Sequence, residues 1–463
     1  MEIQIGDITS KVINPRSHLQ SLALIREVCR ARPSGFQFMP KYKAGRWDGY
    51  ISLMRSMSEF PTGLLTLVGK HLLDNRVAFE LLRQPIPPPN SIDANCLNGV
   101  TLRGYQMEAV SKMLEVGRGV AKMATNSGKT EVMAAIIRAL DIPPTIIIVH
   151  RKELMYQTAQ RLEDRLEMNI GIIGDGKHIH TSQVAVAMVQ TLYNMLHSLP
   201  RNIVKNYMIF PDNVLMIVDE CHHVSSDTMM DVINHIPGPY RYGLSGTPLK
   251  YDVLSDMKLI AGTGDVIVEV SNEYMIGTGW SAKPTIHMYI IEETNDALWN
   301  MEYIDAYASL IVQDRVRNNI IISHAKESEG VVLILVNYIE HGKMLHDALK
   351  ESGSVFVHGS DSTEYRQSVL STMRGADKGI FIASPIFDEG IDVPAVDTII
   401  LAGGGKAHTK ILQRIGRGLR QKEGRNELIV IDFMDDTNKY LLKHSQERIE
   451  VYGQEGFEVQ LQN

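Results

Sequence analysis

The sequence predicts an α/β fold in which two doubly wound parallel sheets follow a small N-terminal α+β region. From about residue 98 onward, short apolar runs of strand length alternate with segments of helical spacing, a pattern typical of parallel sheets covered by helices. A Pro-rich stretch at 85–90 separates this part of the chain from a region of mixed patterns and indicates a stiff linker. We therefore expect three domains, at residues 1–90, 91–283 and 284–463.

Composition is that of a globular protein from a reducing compartment. Of the 463 residues, 44% are hydrophobic and 22% are charged. The longest apolar runs, such as 331–336, are far too short to span a bilayer, and no basic segment followed by an apolar stretch stands at the N-terminus. The three cysteines lie far apart, which argues against a disulfide framework. We expect a cytoplasmic protein, in the host cytoplasm if the chain is viral, with no membrane partner.

Residues 1–90 are basic, whereas the remainder of the chain is acidic. The first 90 residues carry twelve Lys and Arg against seven Asp and Glu, a net charge of +5, so the total of −7 leaves −12 for the rest. This asymmetry indicates a polyanion-binding module attached to an acidic part of the chain. Within the module, residue spacing predicts a helix at 19–30 and strands at 50–54 and 64–68.

Between the predicted helix and the first of these strands, cations alternate with aromatic residues. Lys41, Lys43 and Arg46 suit contacts with phosphates, and Trp47 suits stacking on bases, so we predict that these four residues bind nucleic acid. The alternative is an ordinary solvated turn in which Trp47 packs inward.

Residues 124–130 form a predicted loop between an apolar run and a segment of helical spacing. Such a loop gathers backbone N–H groups and the positive end of a helix dipole around one anion. Lys129 is predicted to reach the β- and γ-phosphates of ATP, and the Thr130 hydroxyl to bind Mg²⁺. The alternative is an ordinary strand–turn–helix, because Met123 occupies a position where the full P-loop pattern has glycine. The other residues of the predicted ATP-binding loop are Thr125, Asn126, Ser127 and Gly128.

A second stretch, about ninety residues downstream, ends in two carboxylates. The apolar run 214–218 predicts a buried strand that carries Asp219 and Glu220 to the carboxyl edge of a sheet, where ligands of open α/β folds bind. Asp219 is predicted to hold Mg²⁺, and Glu220 to orient and deprotonate the water that attacks the γ-phosphate. The alternative is a strand end with two solvated acids.

The second α/β unit has no Gly-Lys-Thr loop, but it offers a basic helix face. Helical spacing places Gln413, Arg417 and Arg420 on one side of a predicted helix. The two arginines would stabilise the charge that develops on phosphates held by the first unit; the alternative is a solvated basic face. Upstream, after a predicted strand at 379–383, Gly390 permits close backbone approach and Asp392 is placed to hold an arginine or a ribose hydroxyl. The predicted strands of this unit are 331–336, 355–357, 379–383, 398–401 and 427–432.

With these motifs in order, residues 100–435 resemble the superfamily 2 helicases. Gln106, with Arg103 beside it, corresponds to the glutamine that reads adenine in that family. The run 219–222 matches the DExH form of motif II, so that His222 joins the ATP site, and Ser245 and Thr247 stand at the coupling motif III. The resemblance implies two RecA-like domains with ATP and Mg²⁺ bound between them. The remaining matches are Gly390 and Asp392 in motif V, and Gln413, Arg417 and Arg420 in motif VI.

Other matches concern the nucleic acid. Residues 41–50 and 404–406 look like phage UvsW-type branch-migration helicases, with XPB-type enzymes more distant. This resemblance implies an ATPase that depends on single-stranded and branched duplex DNA, such as forks, D-loops and four-way junctions, in recombination, repair or replication restart, and that moves 3′-to-5′. The residues that stand where such enzymes grip one strand are His150, Arg151, Gln190, Thr191, His358 and Gly359.

Three other functions stay open at this point, of which the motor of a restriction complex is weakened because the sequence shows no convincing nuclease cluster of carboxylates and lysine. An RNA helicase would carry the same motor motifs, and a nucleotide-gated DNA-binding clamp would bind ATP without separating strands. A glutamate followed by two arginines favours turnover over a clamp. We expect a monomer, with recombination or replication proteins as candidate partners.

Overall fold

The computed structural model describes residues 1–86, 88–124, 127–178, 183–198, 210, 212–249, 252–292, 295–384, 396–404 and 427–462. The chain forms two compact units. One is built from Met1–Ala124 and Gly128–Val270, and the other contains Ser271–Asn463. Across these described ranges, no helix is both long enough and apolar enough to cross a membrane.

The N-terminal region belongs to the first unit and has a mixed sheet with the strand order β5-β2-β1-β6. Strand β1 pairs antiparallel with β2 and parallel with β6, and a separate antiparallel ribbon joins β3 to β4. The strands are β1 Glu2–Ile5, β2 Thr9–Val12, β3 Arg30–Ala31, β4 Ile51–Ser52, β5 Glu59–Pro61 and β6 Glu80–Arg83. The helices are Leu19–Val28, Pro40–Lys43 and Leu65–Asp74, with 3₁₀ turns at Pro15–Ser17, Phe36–Phe38 and Thr62–Leu64.

The strand predicted at 64–68 is wrong, because this segment lies in the helix Leu65–Asp74 and the turn before it. Leu64, Val68 and Leu72 recur every four residues and are fully buried. A short apolar run has the same composition in a buried strand and in a buried helix, so periodicity over five residues cannot separate them. The helix predicted at 19–30 is confirmed, and only Ile51–Ser52 of the predicted strand 50–54 is extended.

The N-terminal region shares its core with the helix Val253–Thr263 of the adjoining α/β sheet. Leu254 and Met257 from that helix pack with Ile25 and other buried residues of the N-terminal sheet and helices. A Cβ atom added to Gly63 would lie 1.9 Å from the backbone oxygen of Ile260. Only glycine permits this approach, so the N-terminal region is fitted closely to that helix.

The first α/β sheet has the order β10-β9-β11-β8-β12-β13-β7-β14 among the described strands, all parallel to their neighbours except β10. Because β12, β13 and β7 are adjacent, the segments that follow them meet at one edge. The strands are β7 Arg118–Met123, β8 Thr145–Val149, β9 Gly171–Gly174, β10 Lys177–His178, β11 Val184–Met188, β12 Leu215–Asp219, β13 Tyr240–Ser245 and β14 Val266–Val270. The helices are Gly104–Val116, Lys129–Ala139, Lys152–Leu166, Val189–His197, Asp227–Ile233 and Val253–Thr263, with a 3₁₀ turn at Cys221–Ser225.

The second unit has an all-parallel sheet, within the part of it that is described, with the order β17-β18-β16-β19-β20-β15-β21. The five strands predicted from the sequence are β16 to β20. The strands are β15 Lys283–Glu292, β16 Val331–Leu335, β17 Val355–Val357, β18 Gly379–Ala383, β19 Thr398–Ile400, β20 Glu427–Asp436 and β21 Glu458–Gln462. The helices are Asn272–Gly277, Asp296–Trp299, Tyr303–Tyr307, Arg315–Glu327, Ile339–Leu349, Thr363–Arg374 and Lys439–Gln454, with a π-helix at Ala308–Val312 and a 3₁₀ turn at Lys350–Ser352. The predicted fold, two RecA-like parallel α/β sheets and a small α+β region, is confirmed.

Candidate active site

Two carboxylates stand at the carboxyl end of β12. Asp219 is the last residue of this buried strand, and Glu220 follows it with a φ of +48°. The backbone N–H of Glu220 donates to Asp219 Oδ1 over 3.0 Å. A left-handed backbone is uncommon outside glycine, and here it turns the chain sharply just after the strand. The predicted strand end with two acids is therefore present, and its acids are buried or half-buried rather than solvated.

Lys129 is the first residue of the helix Lys129–Ala139, and Gly128 caps that helix with a φ of +79°. The Lys129 Nζ lies 3.5 Å from Glu220 Oε1. The fold thus brings together the lysine of the loop after β7 and the acids that follow β12. Burial pulls the pKa of Lys129 down, but the charges of Glu220 and Asp219 outweigh it, so the pKa is raised and the side chain stays an ammonium.

The two acids differ in their affinity for protons. Burial, with the neighbouring charge of Glu220, raises the pKa of Asp219 to about 6. Burial also acts to raise the pKa of Glu220, but the charge of Lys129 and the hydrogen bond from His222 hold it below its ordinary value. Glu220 is therefore the carboxylate that remains charged, whereas a cation at this edge would favour ionised Asp219.

The Ser245 hydroxyl, at the end of β13, joins Glu220 to the residues after that strand. Its Oγ donates to Glu220 Oε2 over 3.2 Å and accepts the backbone N–H of Thr247 over 3.2 Å. His222 Nδ1 lies 3.1 Å from the same Oγ and 3.4 Å from Glu220 Oε2. Since the Ser245 hydrogen is used on the carboxylate, the network assigns the proton to His222 Nδ1. The predicted coupling residue Ser245 thus contacts the predicted base directly, and Thr247 is linked to that base through the Ser245 hydroxyl.

Three imidazole rings lie in a row beside this network. The His150 ring centroid lies 4.1 Å from that of His223, which lies 4.2 Å from that of His222. His150 follows β8, and β8 is the sheet neighbour of β12. His150 and His222 are among the site residues predicted from the sequence, whereas His223 is not. The signal for it in the sequence is that two neighbouring parallel strands, β8 and β12, are each followed within four residues by histidine.

Gln106 lies between a helix start and the loop before Lys129. Its Oε1 accepts the backbone N–H of Arg103, the N-cap residue of the helix Gly104–Val116, over 2.8 Å. Its Nε2 would lie 2.2 Å from a Cβ atom added to Gly128. The guanidinium of Arg103 donates to the Tyr105 hydroxyl over 3.0 Å. Reading of adenine by Gln106 stays a prediction, but its amide lies so close to Gly128 that a side chain at that position would have to displace it.

The residues predicted to grip a nucleic acid strand stand after parallel strands in both units. Arg151 caps the helix Lys152–Leu166, and Gln190 and Thr191 lie in the first turn of the helix Val189–His197. In the second unit, His358 follows β17 and its Nε2 lies 3.5 Å from Asp361 Oδ1, while Gly359 is exposed. Their contacts with a strand remain predictions.

In the N-terminal region, Lys41, Lys43 and Arg46 are exposed. Trp47 is half-buried, and its indole N–H donates to the backbone oxygen of Tyr50 over 2.7 Å. The cations are thus available to phosphates, whereas the indole is engaged within its own loop.

Several predicted site residues cannot be placed. Ser127, in the loop before Lys129, is fully buried, and Thr130, in the first turn of the helix Lys129–Ala139, is half-buried. The predicted residues that lie outside the described ranges are Thr125, Asn126, Gly390, Asp392, Gln413, Arg417 and Arg420.

Three family models match this chain. Residues 99–250 match the type III restriction enzyme res subunit, and residues 313–422 match the helicase conserved C-terminal domain. Residues 14–80 match the N-terminal domain of DNA helicase UvsW. The three matches follow one another along the chain and include the first α/β sheet, part of the second, and the basic N-terminal region.

Individual relatives agree with these matches. The DNA 3'-5' translocase XPB2 of Sulfurisphaera tokodaii is 27% identical over 372 residues, which cover 72% of this chain and 81% of that protein. The ATP-dependent DNA helicase uvsW of Enterobacteria phage T4 is 23% identical and covers 94% of this chain and 93% of that protein. Among solved structures, the ATP-dependent type ISP restriction-modification enzyme LlaBIII bound to DNA has a TM-score of 0.58 at 16% identity, covering 77% of this chain and 30% of that one. This last likeness supports the fold alone.

Proposed function

We propose that this chain, which is a superfamily 2 helicase of the DExH type and hence an ATP-dependent enzyme, acts as a motor on branched DNA. The observation that carries the motor assignment is the environment of Glu220. Its carboxylate is kept charged by Lys129 and is held in place by Ser245 and His222. A charged carboxylate fixed in this way beside a phosphate-binding loop suits activation of water for attack on the γ-phosphate.

The N-terminal region supports DNA as the polynucleotide. It matches the N-terminal domain of a DNA helicase, and the cations Lys41, Lys43 and Arg46 are exposed on it. We propose forks, D-loops and four-way junctions as substrates, in recombination, repair or replication restart. Movement from 3′ to 5′ is supported by the relative described as a 3'-5' translocase. We further propose that the chain works as a monomer.

The contact between Lys129 and Glu220 suggests how ATP binding prepares the base. The Lys129 ammonium is paired with the Glu220 carboxylate, which lowers the basicity of Glu220. Terminal phosphates of ATP would compete for Lys129 and draw it from the carboxylate. The pKa of Glu220 would then rise towards the range in which a carboxylate accepts a proton from water more readily.

The residues at this edge suit Mg²⁺. Thr130 offers a hydroxyl and Asp219 a carboxylate, both hard oxygen donors. Across the described part of the chain, no three or more His, Cys, Asp or Glu side chains are grouped to hold a metal ion. Mg²⁺ would therefore take its other ligands from the nucleotide and water, as it commonly does. When bound, it would neutralise charge on the β- and γ-phosphates, and Arg417 and Arg420 stay predicted for the same task.

The test compares ATP hydrolysis by the wild-type chain and Glu220→Gln, each with single-stranded, duplex, forked and four-way DNA and with RNA. We expect hydrolysis to be stimulated by DNA, most by branched forms, and to be lost in E220Q while nucleotide binding persists. Wild-type turnover in E220Q would contradict the assignment of the base. Stimulation by RNA alone would favour an RNA helicase, and binding of DNA without turnover in either protein would favour a clamp.

A further inference from the structure

Residues 32–50, called here the ribbon loop, leave and re-enter a two-stranded ribbon. Strand β3 pairs antiparallel with β4, with Arg30 opposite Ser52 and Ala31 opposite Ile51. The loop between them contains the turn Phe36–Phe38 and the helix Pro40–Lys43. Because β3 and β4 are only two residues long, the ribbon loop needs contacts of its own to keep one conformation.

Aromatic and cationic side chains supply these contacts at the base of the ribbon loop. The Arg32 guanidinium lies 4.6 Å from the ring centroid of Phe36 and 4.5 Å from that of Tyr50, and Arg30 lies 4.3 Å from the Tyr50 ring. Gly49 has a φ of +86°, and a Cβ atom there would lie 2.8 Å from the Phe36 ring. These rings are therefore used inside the protein and fix the loop.

The ribbon loop is also attached to the first α/β sheet domain. The Ser34 hydroxyl donates to Asp252 Oδ1, and Asp252 caps the helix Val253–Thr263 by accepting from the Ser255 N–H over 3.0 Å. Ala31, at the start of the loop, is buried in the core shared with that helix. The loop thus has a defined position relative to the sheet that carries Lys129 and Glu220.

The far end of the loop exposes a phenyl ring among cations. The Phe38 side chain is 71% exposed, more than any other aromatic residue among the exposed hydrophobic residues of the described ranges. Lys43 Nζ lies 5.9 Å from its centroid, and Lys41 and Arg46 are exposed nearby in sequence. Trp47, the aromatic residue that the sequence favours for stacking, is engaged at the base instead.

We propose that Phe38 is a stacking residue for branch points, so that its ring covers the base exposed where duplex and single strands meet, while Lys41, Lys43 and Arg46 contact the flanking phosphates. The proposal rests on the proposed function, since it needs DNA as the substrate. A branch point offers the flat face of a terminal base, and a single aromatic ring flanked by cations suits one nucleotide. A protein partner fits less well, because charged residues are depleted at the cores of protein interfaces.

Stacking of a base on Phe38 costs little conformational entropy in this structure. The base of the ribbon loop is already fixed by Arg32 and Gly49, so little further ordering is needed when a base docks. Stacking of one base on an aromatic residue changes affinity by about 5-fold to 150-fold. Inside a linear duplex every base is stacked on both faces, so the contribution of Phe38 belongs to DNA that exposes a base face, as a branch point does. Phe38 would therefore set the preference of the enzyme for forks.

The experiment measures the affinity of the 463-residue chain for forked DNA and for linear duplex DNA, with 2-aminopurine as the base at the fork. The variants are Phe38→Ala, Phe38→Trp and, as a matched control, Leu73→Ala, which removes an exposed apolar side chain elsewhere in the same region. We expect the ratio of fork to linear affinity to fall about tenfold in F38A, and to be restored in F38W. L73A should keep the wild-type ratio, and 2-aminopurine should be quenched by the wild type but not by F38A.

An unchanged affinity ratio and unchanged quenching in F38A would overturn the proposal, while DNA-stimulated hydrolysis in the wild type would leave the proposed function standing. An equal loss of affinity for forked and linear DNA would also overturn it, because the ring would then not recognise the branch. Loss of a protein partner with fork binding intact would identify a docking surface instead. Failure of any DNA to stimulate the wild type would instead remove the proposed function.

Discussion

At the residue scale, the central feature is that three side chains set the charge and the orientation of the Glu220 carboxylate. Lys129 contacts one carboxylate oxygen, and Ser245 and His222 contact the other. Since Ser245 stands at the end of a different strand from Glu220, any movement of that strand end alters the hydrogen bond to the predicted base. Through this hydrogen bond, the predicted coupling role of Ser245 has a physical explanation: movement at the end of β13 changes the environment of Glu220.

Ser245→Ala should lower the DNA-stimulated turnover of ATP by about tenfold or more, because a hydrogen bond to a charged group contributes about 1.5–3 kcal/mol. The change also leaves the N–H of Thr247 without its hydroxyl acceptor. The measurement is kcat and KM for ATP at saturating DNA. Ser245→Thr keeps a hydroxyl and should retain most of the activity. A wild-type kcat in S245A would show that Glu220 does not depend on this contact.

At the element scale, the helix Val253–Thr263 holds the N-terminal region. It contributes Leu254, Met257 and Ala261 to the shared core, and its backbone lies against Gly63. The N-terminal sheet is therefore an extension of the first unit and not a separately tethered module. The Pro-rich stretch at 85–90 connects two parts of one packed body.

Gly63→Ala should destabilise this packing by about 1–3 kcal/mol or more, since overpacking a tight contact costs that much and the clash here is with backbone. The measurement is thermal unfolding together with proteolysis of the N-terminal region. The matched control is Gly104→Ala, because nothing lies within 4 Å of a Cβ atom added there. Equal stability of G63A and the wild type would mean that the two parts do not depend on each other.

The helix Ile339–Leu349 of the second unit contains a buried histidine. His341 is fully buried, and its Nε2 lies 2.9 Å from Asn318 Oδ1. Burial, with the nearby charge of Arg317, lowers the pKa of His341 to about 3. The folded chain therefore keeps this ring neutral at a pH where the unfolded chain protonates it.

The stabilising contribution of neutral His341 is complete above about pH 6.5, the unfolded value, and is lost as the pH falls towards 3. The slope is about 1.4 kcal/mol per pH unit. In urea unfolding from pH 6.5 to 5, the wild type should thus lose about 2 kcal/mol more than His341→Gln, whose amide can still reach Asn318. The same substitution at His346, on the same helix, tests whether loss of any histidine gives this effect. Equal pH slopes for H341Q and the wild type would contradict the assignment.

At the scale of the whole molecule, charge is divided along the chain. The basic residues 1–90 carry +5 within a total of −7. The three exposed cations of the ribbon loop belong to the same unit as the Lys129–Glu220 site. A polyanion drawn to the N-terminal region is therefore held by the unit that carries this site.

The triple change Lys41→Gln, Lys43→Gln and Arg46→Gln should flatten the dependence of log K on log salt for duplex DNA by about 0.9 per lost phosphate contact. The measurement is affinity between low and physiological salt. A control with the same loss of charge replaces Lys326, Lys343 and Lys350, which are exposed in the second unit. An unchanged slope in the loop variant would remove residues 41–46 from the footprint.

The apolar patterns of the sequence are sufficient to locate β12 and the strands β16 to β20, and to place the predicted site residues at the ends of β7 and β12. Apolar runs that end in Asp219 and Glu220, or in a loop before Lys129, reveal buried strands and the edge they reach, because both features are local in the chain. The prediction failed at 64–68, where a five-residue window holds less than two helical turns. Local patterns thus established where the site residues stand along the chain.

The contacts between side chains that are distant in the sequence are visible only in the folded structure. The contact of Ser245 with Glu220, the row of three imidazole rings and the fit of Gly63 against Ile260 each join residues far apart in sequence. Likewise Trp47 is engaged at the base of its loop, whereas Phe38 is exposed at its end. The physical reason is that composition gives a residue's capacity to stack, bond or ionise, but its neighbours and its burial depend on how distant strands and helices pack.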